Sequence, residues 1–249
     1  MDWTPWKSDG NARQTPDRDM LETLLHAPIS ECKLVPWGSN YTFAVGLERS
    51  DGSTQIGIYK PTSGEIPLWD FESGSLCLRE YASFLLSRVL GWHFIPATVL
   101  REGPHGMGTV QLYIEPAQGT NGRLTHDRHL FALKRMFLFD LLVNNADRKS
   151  SHFFIGRHDS RLWGIDHGLT FHVHPKLRTV IWDFCGDPFD PCLRDDVERL
   201  IRHSSMVGEL LAPYLRDEEI DMLFTRALQM RDRDTLPMLN PRRNVPFGW

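Results

Sequence analysis

Two aspartates nineteen residues apart, each introduced by an apolar stretch, constrain this chain more than any other feature. Phe137-Leu138-Phe139-Asp140-Leu141-Leu142-Val143 runs into Asn144-Asn145-Ala146-Asp147-Arg148-Lys149, and Leu162-Trp163-Gly164-Ile165 runs into Asp166-His167-Gly168. The first aspartate is expected on a loop and the second at the exit of a strand. A fold that lets them converge can serve one phosphate site with two carboxylates. Either residue alone reads as a cap or a turn, where Asp is common. The pair in this order points to chemistry.

The elements around the pair follow a definite order. A short helix is expected over Asp19–His26, stopped before Pro28. Cys32–Trp37, Tyr41–Glu48 and Thr54–Tyr59 read as strands of an antiparallel meander, with turns at Gly38-Ser39-Asn40 and Ser50-Asp51-Gly52-Ser53. A helix over Leu76–Leu90 has apolar residues at i, i+3, i+4 and i+7 spacing, and Gly91 suits its C-terminal cap. Two further strands are expected at Ala97–Arg101 and Gly108–Ile114. After a polar connector at Pro116–Asn121 the chain turns helical. His129–Val143 is apolar on nearly every side, short strands are expected at His152–Gly156 and Arg161–Ile165, and Arg194–Arg233 is helical. The expected organisation is a mobile tail over residues 1–17, an N-terminal lobe over 18–115, a C-terminal lobe over 116–236 and a Pro-rich tail over 237–249. The fold class is α+β and two-lobed, an antiparallel sheet lobe followed by a mainly helical one.

That order suits phosphoryl transfer. Such a reaction needs an oriented hydroxyl and metal to neutralise charge on the β- and γ-phosphates. Asp147 is placed to position or deprotonate the acceptor, with Arg148 steadying the loop or the charge, and Asp166 to hold Mg²⁺. Gly38, Ser39 and Asn40 form a tight turn between strands that can offer N–H groups and a hydroxyl to phosphate oxygens. Lys60 ends the third strand and can pair with the α- and β-phosphates of ATP, kept extended by Pro61. Glu80, early in the next helix, is its expected partner, with Glu65 and Glu72 as rivals. Gln111–Glu115 is the expected hinge, where Tyr113, Ile114 and Glu115 would meet adenine through their backbone.

Composition narrows the remaining classes. A net charge of −4 argues against a general nucleic-acid binder. No apolar run approaches the roughly 20 residues of a membrane span. The start of the chain lacks a basic region followed by an apolar core, so a cytoplasmic location is expected. Cys32, Cys77, Cys185 and Cys192 are scattered without a Cys-x-x-Cys pair, which fits free thiols better than a zinc site. His167, His172 and His174 cluster, but such a group more often lines a polar cleft than binds metal.

At these residues the chain resembles the phosphatidylinositol 3-/4-kinase superfamily. The type II phosphatidylinositol 4-kinases are the nearest likeness, and HipA-type kinases a more distant one. The resemblance rests on Asn145-Ala146-Asp147-Arg148, on Ile165-Asp166-His167-Gly168 and on Tyr59-Lys60-Pro61, and covers about residues 31–230. Pro67-Leu68-Trp69-Asp70-Phe71 is similar to a segment of a bacterial, mainly actinobacterial, kinase-like group. The resemblance implies a kinase fold, ATP with Mg²⁺ or Mn²⁺, and transfer to a hydroxyl of an inositol lipid, a protein or a small metabolite. It places a second metal ligand, ordinarily Asn, five residues after the catalytic Asp; here that residue is His152. Imidazole suits softer metals than Mg²⁺. Mg²⁺ would then rest on Asp166 and phosphates alone, or Mn²⁺ would be preferred, or activity would be low. In the last case the chain would be a nucleotide-binding pseudokinase acting as a scaffold.

Overall fold

Alternating apolar residues along Phe43–Glu48 and Thr54–Pro61 build the centre of a five-stranded antiparallel sheet. A computed structural model describes residues 18–36, 40–119 and 127–247. The strands are β1 (Ile29–Leu34), β2 (Phe43–Glu48), β3 (Thr54–Pro61), β4 (Thr98–Gly103) and β5 (Gly106–Leu112), in the order β1-β2-β3-β5-β4. The first three form the expected meander, in register through Phe43 opposite Tyr59 and Val45 opposite Gly57. β1 begins three residues earlier than the sequence suggests. As an edge strand it exposes residues on both faces and shows no alternation to read.

The chain divides into two compact units, Met1–Tyr113 and Ile114–Trp249. In the first, α1 (Arg18–His26) and α2 (Leu76–Val89) accompany the sheet. Leu24, Val45, Leu47, Tyr59, Ala97, Val99 and Val110 make its core. Arg101 on β4 donates to the carbonyls of Leu24 and Ala27, at 3.0 and 2.9 Å, and so closes the C-terminal end of α1. β5 passes so close to the end of β3 that a Cβ on Gly108 would overlap the Lys60 carbonyl. Only glycine fits there, and the close approach fixes the strand end that carries Lys60.

The second unit is organised around α3 (Asp127–Val143), whose residues from Met136 to Val143 are buried almost without exception. A small hairpin of β6 (Phe153–Ile155) and β7 (Leu162–Gly164) follows, then α4 (Pro191–Arg202), α5 (Ser204–Leu211) and α6 (Asp217–Arg231). The expected helical stretch is three helices, parted near His203 and Pro213. α6 buries Ile220, Leu223 and Ala227, and Glu219 in its first turn accepts from the Arg216 backbone at 3.1 Å. Among the described residues no helix is long and apolar enough to cross a membrane.

Candidate active site

In the first unit, Lys60 Nζ lies 2.9 Å from both carboxylate oxygens of Glu80. Glu80 is buried, although it lies off the apolar stripe of α2. The rival Glu65 is used otherwise: its oxygens accept from the backbone N–H groups of Leu76 and Cys77, at 3.3 and 3.0 Å, and cap the N-terminus of α2. One glutamate therefore sets the start of the helix while another, a turn further on, holds the lysine. Gly38 and Ser39 lie outside the described residues. The side-chain oxygen of Asn40 accepts from Ile66 N–H at 2.8 Å, which ties Asn40 to the loop after β3. At the expected hinge, Tyr113 N–H donates to Ile56 O at 3.1 Å, so this donor belongs to the sheet and not to an adenine ring. Ile114 begins the second unit, where the Glu115 carbonyl accepts from Arg157 N–H and the Glu115 side chain pairs with Arg157 and His158.

In the second unit the site grows from Asp140, a lone carboxylate inside an apolar helix. Burial of an unpaired charge is costly, so a partner is obligatory. The partner is Arg148. Its Nε lies 3.0 Å from Asp140 Oδ2 and its Nη2 2.8 Å from Oδ1. Both side chains are fully buried. The remaining guanidinium donors reach the carbonyls of His152 and Ile165, at 3.3 and 3.1 Å, and His167 Nε2 at 2.7 Å. Arg148 was expected among the catalytic residues; the structure corrects this. With no exposed surface it cannot meet a substrate, and it acts as a positioning residue that fastens the loop after α3 to the loop after β7.

Asp147 is fixed from the same root. Asn145 donates to Asp140 Oδ1 at 2.9 Å and accepts from Asp147 N–H at 3.0 Å. The Asp147 carboxylate lies 2.9 Å from Lys149 Nζ. Burial pushes its pKa above the ordinary aspartate value, an effect that Lys149 and His152 oppose and Asp166 reinforces. Asp166 has a half-exposed side chain and a left-handed backbone, φ 63°. His152 Nε2 lies 3.2 Å from its Oδ2. Further backbone bonds knit the two loops: Ile165 N–H to His152 O at 2.9 Å, Ala146 N–H to Leu169 O at 2.8 Å, and Phe171 N–H to Val143 O at 2.6 Å.

The other two histidines of the expected cluster, His172 and His174, are engaged with each other and with Asn144. His172 Nδ1 accepts from His174 N–H at 3.0 Å, and Asn144 donates to both carbonyls, at 2.8 and 2.7 Å. Among the described residues no group of three or more His, Cys, Asp or Glu is placed to hold a metal ion. Asp166, the carboxylate expected to hold the cation, offers oxygen only. That donor set fits a hard cation such as Mg²⁺ or Mn²⁺, which takes one or two carboxylates and completes its shell with water and substrate phosphates. Asp140, Asn144 and Asn145 were not expected as site residues. Asp140 was legible, because a charge in the middle of a buried helix announces a partner.

No protein-family model matches the sequence. The chain is 35% identical to Protein Rv2133c of Mycobacterium tuberculosis, over 89% of this chain and 94% of that protein. Among solved structures it is similar to the Golgi casein kinase with Mn/ADP bound, at a TM-score of 0.57 and 16% identity, covering 90% of this chain and 79% of that one. Hydra Fam20 with sugar is similar at a TM-score of 0.56 and 15% identity, covering 85% of this chain and 86% of that one. The fold is protein-kinase-like, an N-terminal antiparallel sheet unit followed by a helical one.

Proposed function

We propose, for a chain that belongs to the family of Protein Rv2133c of Mycobacterium tuberculosis, the function of an ATP-dependent phosphotransferase acting on a hydroxyl group. The observation that carries this reading is the placing of Asp147 and Asp166 on two loops fastened to one buried guanidinium. Asp147 orients the acceptor hydroxyl and takes its proton as transfer proceeds. Lys149 balances the charge of that carboxylate. Lys60, held by Glu80, pairs with the α- and β-phosphates. Asp166 holds the divalent cation, Mg²⁺ or Mn²⁺. When bound, the cation neutralises charge on the β- and γ-phosphates. The Golgi casein kinase structure contains Mn and ADP, which supports a nucleotide with a divalent metal here.

The likeness to phosphatidylinositol 3-/4-kinases, type II above all, belongs to this proposal. It leaves an inositol lipid, a protein Ser or Thr, or a small metabolite as acceptor. Radiolabelled ATP with Mg²⁺ or Mn²⁺ tests the reading. Transfer or hydrolysis lost in Asp166→Asn is the expected result; no turnover of wild type with either metal would sink it. Lys60→Ala should weaken ATP binding by about 1.5–3 kcal/mol, roughly tenfold to a hundredfold, as read by calorimetry. Unchanged affinity would remove Lys60 from the site.

A second reading, a nucleotide-binding pseudokinase scaffold, draws support from the His152–Asp166 contact, which engages the carboxylate with an imidazole. Stabilisation by ATP without metal, and no turnover, would favour it.

A further inference from the structure

We infer that His152 is a positioning residue for Asp166 and not a second metal ligand, so that the site takes a single hard divalent cation on oxygen donors. The short 3₁₀ turn Ser150–His152 folds the imidazole back over its own start, where Nδ1 lies 3.4 Å from Lys149 N–H. A backbone N–H can only donate, so Nδ1 carries a lone pair and no proton. In the neutral ring the proton then sits on Nε2, which faces Asp166 Oδ2 at 3.2 Å. An Nε2–H aimed at a carboxylate is a donor, and the lone pair that a metal would need is absent from that nitrogen. The other nitrogen is turned to the backbone.

The residue is also held at its carbonyl, which accepts from Ile165 N–H at 2.9 Å and from Arg148 Nη1 at 3.3 Å. Its side chain is only 11% exposed. Backbone and ring together bridge the two loops, and the bridge ends on the carboxylate proposed to hold metal. Asp166 is half-exposed and holds a left-handed backbone, φ 63°. The hydrogen bond from His152 orients its carboxylate, as outer partners of metal ligands do. It also occupies the nitrogen that would attract softer ions such as Zn²⁺. The consequence for metal binding rests on the phosphotransfer reading; the tautomer does not.

Histidine ¹⁵N NMR of the metal-free protein at about pH 8, where an ordinary imidazole is neutral, reads the tautomer directly. The expected result is a protonated Nε2 and an unprotonated Nδ1 for His152; the reverse tautomer would overturn the bridge. Addition of ADP with Mg²⁺ should leave the Nε2 proton in place, and its loss would show ligation and overturn the inference. Gln can present an N–H near the Nε2 position. Binding of Mn²⁺ with ADP, followed by electron paramagnetic resonance, should therefore stay within about threefold of wild type in His152→Gln and weaken about 10–100-fold in His152→Ala. Equal losses in both variants would count against a donor role. If wild type takes up no Mn²⁺ with ADP while showing the expected tautomer, the phosphotransfer reading fails and the bridge stands.

Discussion

Asp147→Asn is expected to slow phosphoryl transfer by about 10²–10⁴-fold, the usual worth of a positioned general base, without loss of the fold. Asparagine keeps the size of the side chain and can still lie beside Lys149, but it cannot accept the acceptor's proton. Its N–H remains available to Asn145, whose oxygen lies 3.0 Å from it. The same substitution should alter how stability depends on pH. Burial raises the Asp147 pKa above that of the unfolded chain. A carboxyl shifted upward stabilises the fold most below its unfolded pKa, and that contribution is lost as pH rises through the folded value. Wild type should therefore lose stability relative to Asp147→Asn across that window and stay at or below the variant at neutral pH. Denaturant titrations at a series of pH values measure the slope. The acid limb of kcat/KM should lie above the ordinary aspartate value for the same reason. A variant that turns over at the wild-type rate would assign the base elsewhere.

Arg148→Ala is expected to cost about 3–5 kcal/mol of stability, because it leaves the fully buried Asp140 carboxylate without its cation. The penalty comes from desolvating a lone charge more than from lost hydrogen bonds. Asp140→Ala should cost a similar amount in the mirror sense, stranding the guanidinium. The double replacement by apolar residues of matching volume should recover much of the loss, since a buried pair removed whole is often close to neutral. Activity should not return with it. The carbonyls of His152 and Ile165 would have no common anchor, and Asp166 would lose its place beside Asp147. Equilibrium unfolding of the three variants decides this; independent, additive losses would contradict coupling through one pair.

Much of this arrangement was legible in the residues. Lys60 at a strand end and Glu80 on the next helix were expected to pair, and they lie 2.9 Å apart. The meander was readable because one face of β2 and β3 is buried and the pattern alternates. The start of β1 was not readable, because an edge strand exposed on both faces leaves no period. Arg148 was read as steadying the loop or the charge beside Asp147, and only burial shows that the charge it meets is Asp140, inside the protein. The partner was in view, since Asp140 sits among Phe137, Leu138, Phe139, Leu141 and Leu142. The engagement of Tyr113 N–H by the Ile56 carbonyl was not legible, because Ile56 lies too far back in the sequence to suggest the bond. The Asn144 and Asn145 side chains could not be assigned in advance, as their partners come from the loop beyond β7 and from one turn back in α3.

The left-handed backbone at Asp166 separates the survival of the fold from the survival of its chemistry. Glycine would adopt φ near 63° with less strain than aspartate. Selection for folding alone would therefore favour a residue that has no carboxylate. Asp140 and Arg148 sit under the opposite pressure, since the protein cannot easily lose either by itself. A lineage released from catalysis would drift first at the half-exposed aspartate and keep the buried pair, becoming a stable binding module that still looks like its parent. In such a descendant the scaffold would be the poorer guide to activity, and the single residue after Ile165 the better one.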